Sequence, residues 1–131
     1  MRIGRLRRRS EFLRVARSGR NCPTKGLVLQ ARTCAADSRH VDRDADMWFG
    51  ITVSRRVGKS VERNRVRRRL RALARLMLPN VAAPYHDYVL IGRRATLTRP
   101  YAALLSDLEY ALHRVNAYHP VSELTEPSIK S

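Results

Sequence analysis

Residues 63–75, RNRVRRRLRALAR, place seven arginines in thirteen positions, and no other stretch so narrows what this chain can fold into. At 100° per residue, Val66, Leu70, Leu73 and Met77 fall within an arc of about 60°, the stripe of a helix docked on a core. Asn64, Arg67, Arg68, Arg71 and Arg75 gather on the far side, with Arg63 and Arg69 nearer the apolar edges. Such a helix belongs at a surface, stripe inward, and cannot be a buried central helix. A solvated helix face ordinarily mixes signs. Arg67, Arg71 and Arg75 instead stand at i,i+4 spacing as like charges, which is mildly destabilising. A polyanion outside the chain would offset this, and phosphate fits best, since guanidinium presents a planar fork matched to its oxygens.

The rest of the charge follows the same logic. The chain has 131 residues, enough for one domain, with 27 basic and 11 acidic side chains and a net charge of +16. Residues 1–20 carry eight Arg and Glu11, for +7, and residues 55–75 carry nine Arg, Lys59 and Glu62, for +9. These two segments account for the whole excess, and the remainder nets to zero. A coding bias explains the preference for Arg over Lys, 24 against 3, but not two clusters on an otherwise balanced chain. The expected partner is nucleic acid. The basic start is not followed by the roughly 7–15 apolar residues of a secretory signal, and no run approaches a membrane span of about 20. A cytoplasmic protein is expected. Cys22 and Cys34 lack a second pair or a His at zinc-ligand spacing, so both read as reduced structural thiols.

Periodicity outlines the elements. Ser10 to Ser18 predicts a helix capped by Ser10 and ended by Gly19, with Phe12, Val15 and Ala16 on one face. Gly26–Arg32 (GLVLQAR) and Met47–Ser54 (MWFGITVS) read as strands, separated by an exposed acid-containing connection, Ala35 to Asp46. The basic helix follows, with Pro79 and Pro84 marking its exit. His86–Arg94 (HDYVLIGRR) is a buried strand, joined to its predecessor through the helix and therefore expected to run parallel to it. A last helix starts near Pro100, with Tyr101, Leu104, Leu105, Leu108, Leu112 and Val115 facing the sheet.

No catalytic constellation emerges. His40, His86, His113 and His119 sit in separate segments without metal-binding or nucleophile spacing, and no carboxylate pair stands out. A stand-alone nuclease is disfavoured by the missing acid cluster of two-metal chemistry. A duplex-DNA reader would need a helix-turn-helix or zinc module, and neither is visible. A membrane-surface helix would need a wider apolar face with aromatic residues beside it. A ribosomal or other structural RNA-binding protein shares the charge, but needs neither a cleft nor Arg-Asn-Arg at a helix start.

GITVSRRVGKSVERNRVRRRLR, Gly50 to Arg71, resembles the signature of the bacterial ribonuclease P protein subunit family: a strand, a basic loop with Gly, then a helix opening on Arg-Asn-Arg. SEFLRVARSG, LVLQAR, DYVLIGR and the last helix follow in the family's order, so the likeness covers roughly residues 5–116. The resemblance implies an α+β fold, a two-layer α/β sandwich like the second domain of ribosomal protein S5, with a left-handed β-α-β crossover against the usual right-handed rule. It implies a single RNA-binding domain over 10–116; the Arg run of 1–9 itself reads as a basic N-terminal arm, and 117–131, with Pro120, Pro127 and little apolar material, as a flexible tail. It further implies a subunit of an endoribonuclease that removes the 5′ leader of precursor tRNA. The catalytic RNA would carry the chemistry with Mg2+, and the protein itself would bind no cofactor. The implied partners are ribonuclease P RNA and precursor tRNA, with no membrane and no small-molecule substrate. Carried over by position, Arg55, Arg56, Lys59, Arg63, Asn64, Arg65, Arg67, Arg68 and Arg71 would contact RNA, and Phe12, Val15 and Ser54 would line a leader cleft. Phe12 fits an ordinary core residue equally well. Ala16 and Gln30 stand where many family members carry larger aromatics, which leaves less surface for stacking.

Overall fold

The computed structural model describes residues 2–33 and 45–120. In chain order they form β1 (Ile3–Arg5), α1 (Arg9–Ser18), β2 (Arg20–Pro23), β3 (Leu27–Thr33), β4 (Met47–Thr52), α2 (Ser60–Val81), β5 (His86–Gly92) and α3 (Tyr101–Arg114), with 3-10 turns at Arg55–Val57 and Arg94–Leu97. The strands make one sheet, ordered β1-β4-β5-β3-β2. β4 runs parallel to both β1 and β5, and the β3 pairings are antiparallel. The expected α+β class and the parallel β4-α2-β5 passage are thus present.

Strand alternation decides what each face holds. Leu27, Leu29 and Ala31 of β3, Met47 and Phe49 of β4, and Tyr88 and Leu90 of β5 point to one side. There they meet Val66, Leu70, Leu73, Ala74 and Leu78 of α2 and Leu104, Leu108, Ala111 and Leu112 of α3. Each fully buried Leu contributes about 1.5–3 kcal/mol. The alternate residues Trp48 and Val89 face the opposite side, where they join Leu6 and Val15 in a smaller cluster bordered by Phe12 and Ile91. One short helix, α1, covers part of that second face.

Several expectations need correction. The basic arm foreseen over 1–9 is built into the domain: β1 pairs with β4, Leu6 is buried, and Arg9 opens α1. A three-residue strand among arginines carries almost no periodic signal, and only the partner β4 makes it a strand. Ser10 does not cap α1. The helix starts one residue earlier, and Glu11 accepts the backbone N–H groups of Arg7 and Arg8, both at 2.9 Å. The exit of α2 does fall between Pro79 and Pro84, as expected: the helix passes through Pro79 and ends at Val81. The carbonyl that loses its donor belongs to the exposed Arg75, while burial of Leu78 and the Ala82 N–H to Leu78 carbonyl bond (3.0 Å) hold the last turn. The foreseen tail begins too early, because Ala117 is buried, Tyr118 bridges to Ala82, and the His119 N–H donates to the Val81 carbonyl (2.7 Å). Residues 121–131, Cys34, His40 and most of the 35–46 connection lie outside the described residues. Cys22 is a buried free thiol.

Candidate nucleic-acid interface

The basic loop between β4 and α2 is held from both ends. Gly58 adopts φ 155°, ψ −159°, a conformation open in practice to glycine alone, and a Cβ there would overlap the Glu62 carboxylate. That carboxylate accepts the Lys59 N–H (2.9 Å), capping α2. From the 3-10 turn after β5, Arg94 donates to the Val57 carbonyl (2.5 Å) and stands 3.9 Å from Glu62. Arg55, Arg56 and Lys59 project from this braced turn and are exposed, as is Ser54, which precedes it.

Along α2 the expected residues come together on one face. Val61, Asn64, Arg67, Arg68 and Arg71 line a shallow concavity of about 450 Å³. Asn64 accepts a hydrogen bond from Arg67 (3.0 Å) and so orients that guanidinium. Arg63 donates to the Ser60 hydroxyl (3.1 Å), and the Nε atoms of Arg63 and Arg71 are buried without a hydrogen-bond partner. Arg65 is exposed and lies outside the concavity. Among the described residues, none of Arg65, Arg67, Arg68 and Arg71 forms an ion pair with a carboxylate.

Other arginines have internal work. Arg69 donates to the carbonyls of Leu97 (2.8 Å) and Arg99 (2.6 Å), pinning α2 to the connection before α3. Arg93 donates to the Thr24 carbonyl (2.7 Å). Arg99 makes a two-point contact with Asp107 (2.5 and 3.0 Å), whose carboxylate also accepts the Gly26 N–H (3.1 Å). That hydrogen-bonded carboxylate holds the Arg99 guanidinium above its ordinary pKa. Charge alone does not reveal this division of labour, since every arginine looks alike in a count.

The second surface lies on the α1 side of the sheet. The Phe12 ring sits directly over Gly50, whose missing side chain makes room for it, and remains half-exposed. Val15, expected beside it, is fully buried and supports the surface from beneath. Sequence reasoning overlooked Thr52, Ile91 and Val28, which lie side by side across β4, β5 and β3. Thr52 is exposed and the other two are half-buried, next to Gln30. Strand parity could have found them, because Gly50 and Thr52 share a face. Ala16 is exposed.

Among the described residues no three His, Cys, Asp or Glu side chains cluster to hold a metal ion, and no helix is long and apolar enough to cross a membrane. His86 stacks on Tyr88 and His113 on Tyr118, so both rings have packing partners.

Taken together, these features define a small α+β protein that presents an arginine-faced helix beside a half-open sheet. The Ribonuclease P family model matches residues 1–116. The ribonuclease P protein component of Paramagnetospirillum magneticum is 45 % identical over 131 residues, covering 99 % of this chain and 96 % of that protein. The Ruegeria pomeroyi protein is 43 % identical over 119 residues, 90 % of each chain. The solved RNase P protein of Thermotoga maritima superposes with a TM-score of 0.67 at 24 % identity, covering 85 % of this chain and 96 % of that one. The chain belongs to the ribonuclease P protein family.

Proposed function

We propose that this protein works within the ribonuclease P ribonucleoprotein by holding RNA at two surfaces while the RNA subunit performs the hydrolysis. The observation that carries this reading is the α2 face: Arg67, Arg68 and Arg71 form a concave patch without a carboxylate partner among the described residues. Phosphates of the catalytic RNA would complete it, with Arg55, Arg56, Lys59, Arg63, Asn64 and Arg65 extending the contact around the helix start. Each phosphate neutralised would relieve repulsion already present in the free protein. On the other face, Phe12 with Thr52, Ser54, Ile91 and Val28 would receive the single-stranded 5′ leader of precursor tRNA. An aromatic ring stacks on any base, so the contact tolerates leaders of varied sequence. The chemistry would be phosphodiester hydrolysis by a Mg2+-activated water on the RNA subunit, with the protein supplying affinity and position. A cytoplasmic location fits this partnership.

The test is cleavage of a precursor tRNA by a bacterial ribonuclease P RNA at low Mg2+, with and without the protein. Cleavage should be restored by the protein and absent with the protein alone. Failure to restore it would defeat the reading.

A further inference from the structure

The two segments that carry the whole net charge, 1–20 and 55–75, are far apart in sequence, and the sheet brings them together. β1 lies at the sheet edge, parallel to β4, with Arg5 in register with Phe49. Phe49 belongs to the core under α2, and the Arg5 guanidinium sits 5.7 Å from its ring centroid. Arg5 therefore lies on the α2 side of the sheet. β1 also packs against α2, the helix that carries Arg71 and Arg75; in keeping with that placement, burial first and then the fields of Arg71, Arg75 and Arg7 lower the Arg5 pKa. Arg5, Arg7 and Arg75 are exposed.

The simplest account is edge protection, in which charged side chains stop a strand from pairing with another molecule. A three-residue strand needs one such charge. Four around one edge add mutual repulsion that no such guard requires.

We propose that this edge is a further phosphate-binding surface, formed by Arg5, Arg7 and Arg75, that extends the α2 contact around the side of the sheet to the start of α1. The occupant is the phosphate backbone of the ribonuclease P RNA, so the inference rests on the function proposed above. Arg71 belongs to both surfaces, which makes the basic track continuous from the Arg-Asn-Arg helix to the N-terminal strand. The RNA backbone is thereby held on both α2 and β1, and the N-terminal arginines act from fixed positions.

The experiment is equilibrium binding of the full chain to ribonuclease P RNA over a range of salt concentrations. Arg5→Gln and Arg75→Gln should each lower the slope of log K against log salt by about 0.7–0.9, the value of one lost phosphate. Arg5→Lys, which keeps the charge, should restore the slope, and Arg75 stands on an exposed helix surface where substitution leaves the fold intact. Unchanged slopes in both glutamine variants, with tight binding by the unsubstituted chain, would overturn the proposal. A loss confined to leader-bearing precursor tRNA would overturn its assignment to the catalytic RNA. No binding by the unsubstituted chain would overturn the underlying function, and this surface with it.

Discussion

Arg68 and Arg69 are neighbours in sequence with opposite tasks. Arg69 spends its donors on two backbone carbonyls, whereas Arg68 is exposed on the concave face. Arg69→Ala should cost about 1–3 kcal/mol of stability in urea unfolding, because two part-buried carbonyls lose their donor. The salt dependence of RNA binding should not change. Arg68→Ala should do the reverse, leaving the unfolding midpoint in place and lowering the salt slope by about one. Gly50 offers a second test at this scale. Its Cβ position is occupied by the Phe12 ring, so Gly50→Ala should destabilise by about 1–3 kcal/mol through overpacking. Calorimetry would show whether the ring can instead swing away at no cost, which would weaken its assignment to a fixed stacking position.

Among the elements, α1 and α2 work by different physics. α2 docks through a fully buried stripe, Val66, Leu70 and Leu73, and shows the solvent a charged face. α1 has one fully buried residue, Val15, and leaves Phe12 half-exposed against the sheet. Phe12→Ala should therefore weaken binding of leader-bearing precursor tRNA by about 1–3 kcal/mol, the worth of one stacked base. Leaderless tRNA should bind the holoenzyme as before, and an equal loss with both substrates would remove Phe12 from the leader site. The half-burial of Phe12 reconciles its two readings, since one edge of the ring packs on Gly50 while the rest stays accessible.

For the whole molecule, the N-terminal segment is structure as well as charge. Deleting residues 1–6 removes β1, bares the β4 edge and takes away buried Leu6. The deletion should lower the urea midpoint, while a full-length chain with Arg2, Arg5 and Arg7 changed to Gln should keep it and lose only RNA affinity. Equal stability of the two would show β1 to be dispensable. The sheet also explains how a chain with this net charge folds. Like-charged segments meet at its edge, where water reaches them, and the buried interior keeps to apolar side chains and few polar ones such as Asp87 and Thr96.

Period and composition were enough for the long elements. The 3.6-residue stripe of α2, the apolar run of β5 and the leucine ladder of α3 are local signals strong enough to survive without context, and the α+β class follows from them. The basic face of α2 was legible for the same reason, as a charge pattern on a known period, but its start was not: the helix begins at Ser60 rather than on Arg-Asn-Arg, because Glu62 caps it at Lys59. β1 and β2 were not legible, because strands of three and four residues exist only through the partners that pair with them. Nor could sequence separate Arg69, Arg93, Arg94 and Arg99, which hold backbone carbonyls or a carboxylate, from arginines left open to a ligand. Hydrogen-bond geometry made that distinction. Val15 and Phe12 share a predicted helix face, and only the placement of α1 over Gly50 decided which is buried and which stays partly open to solvent.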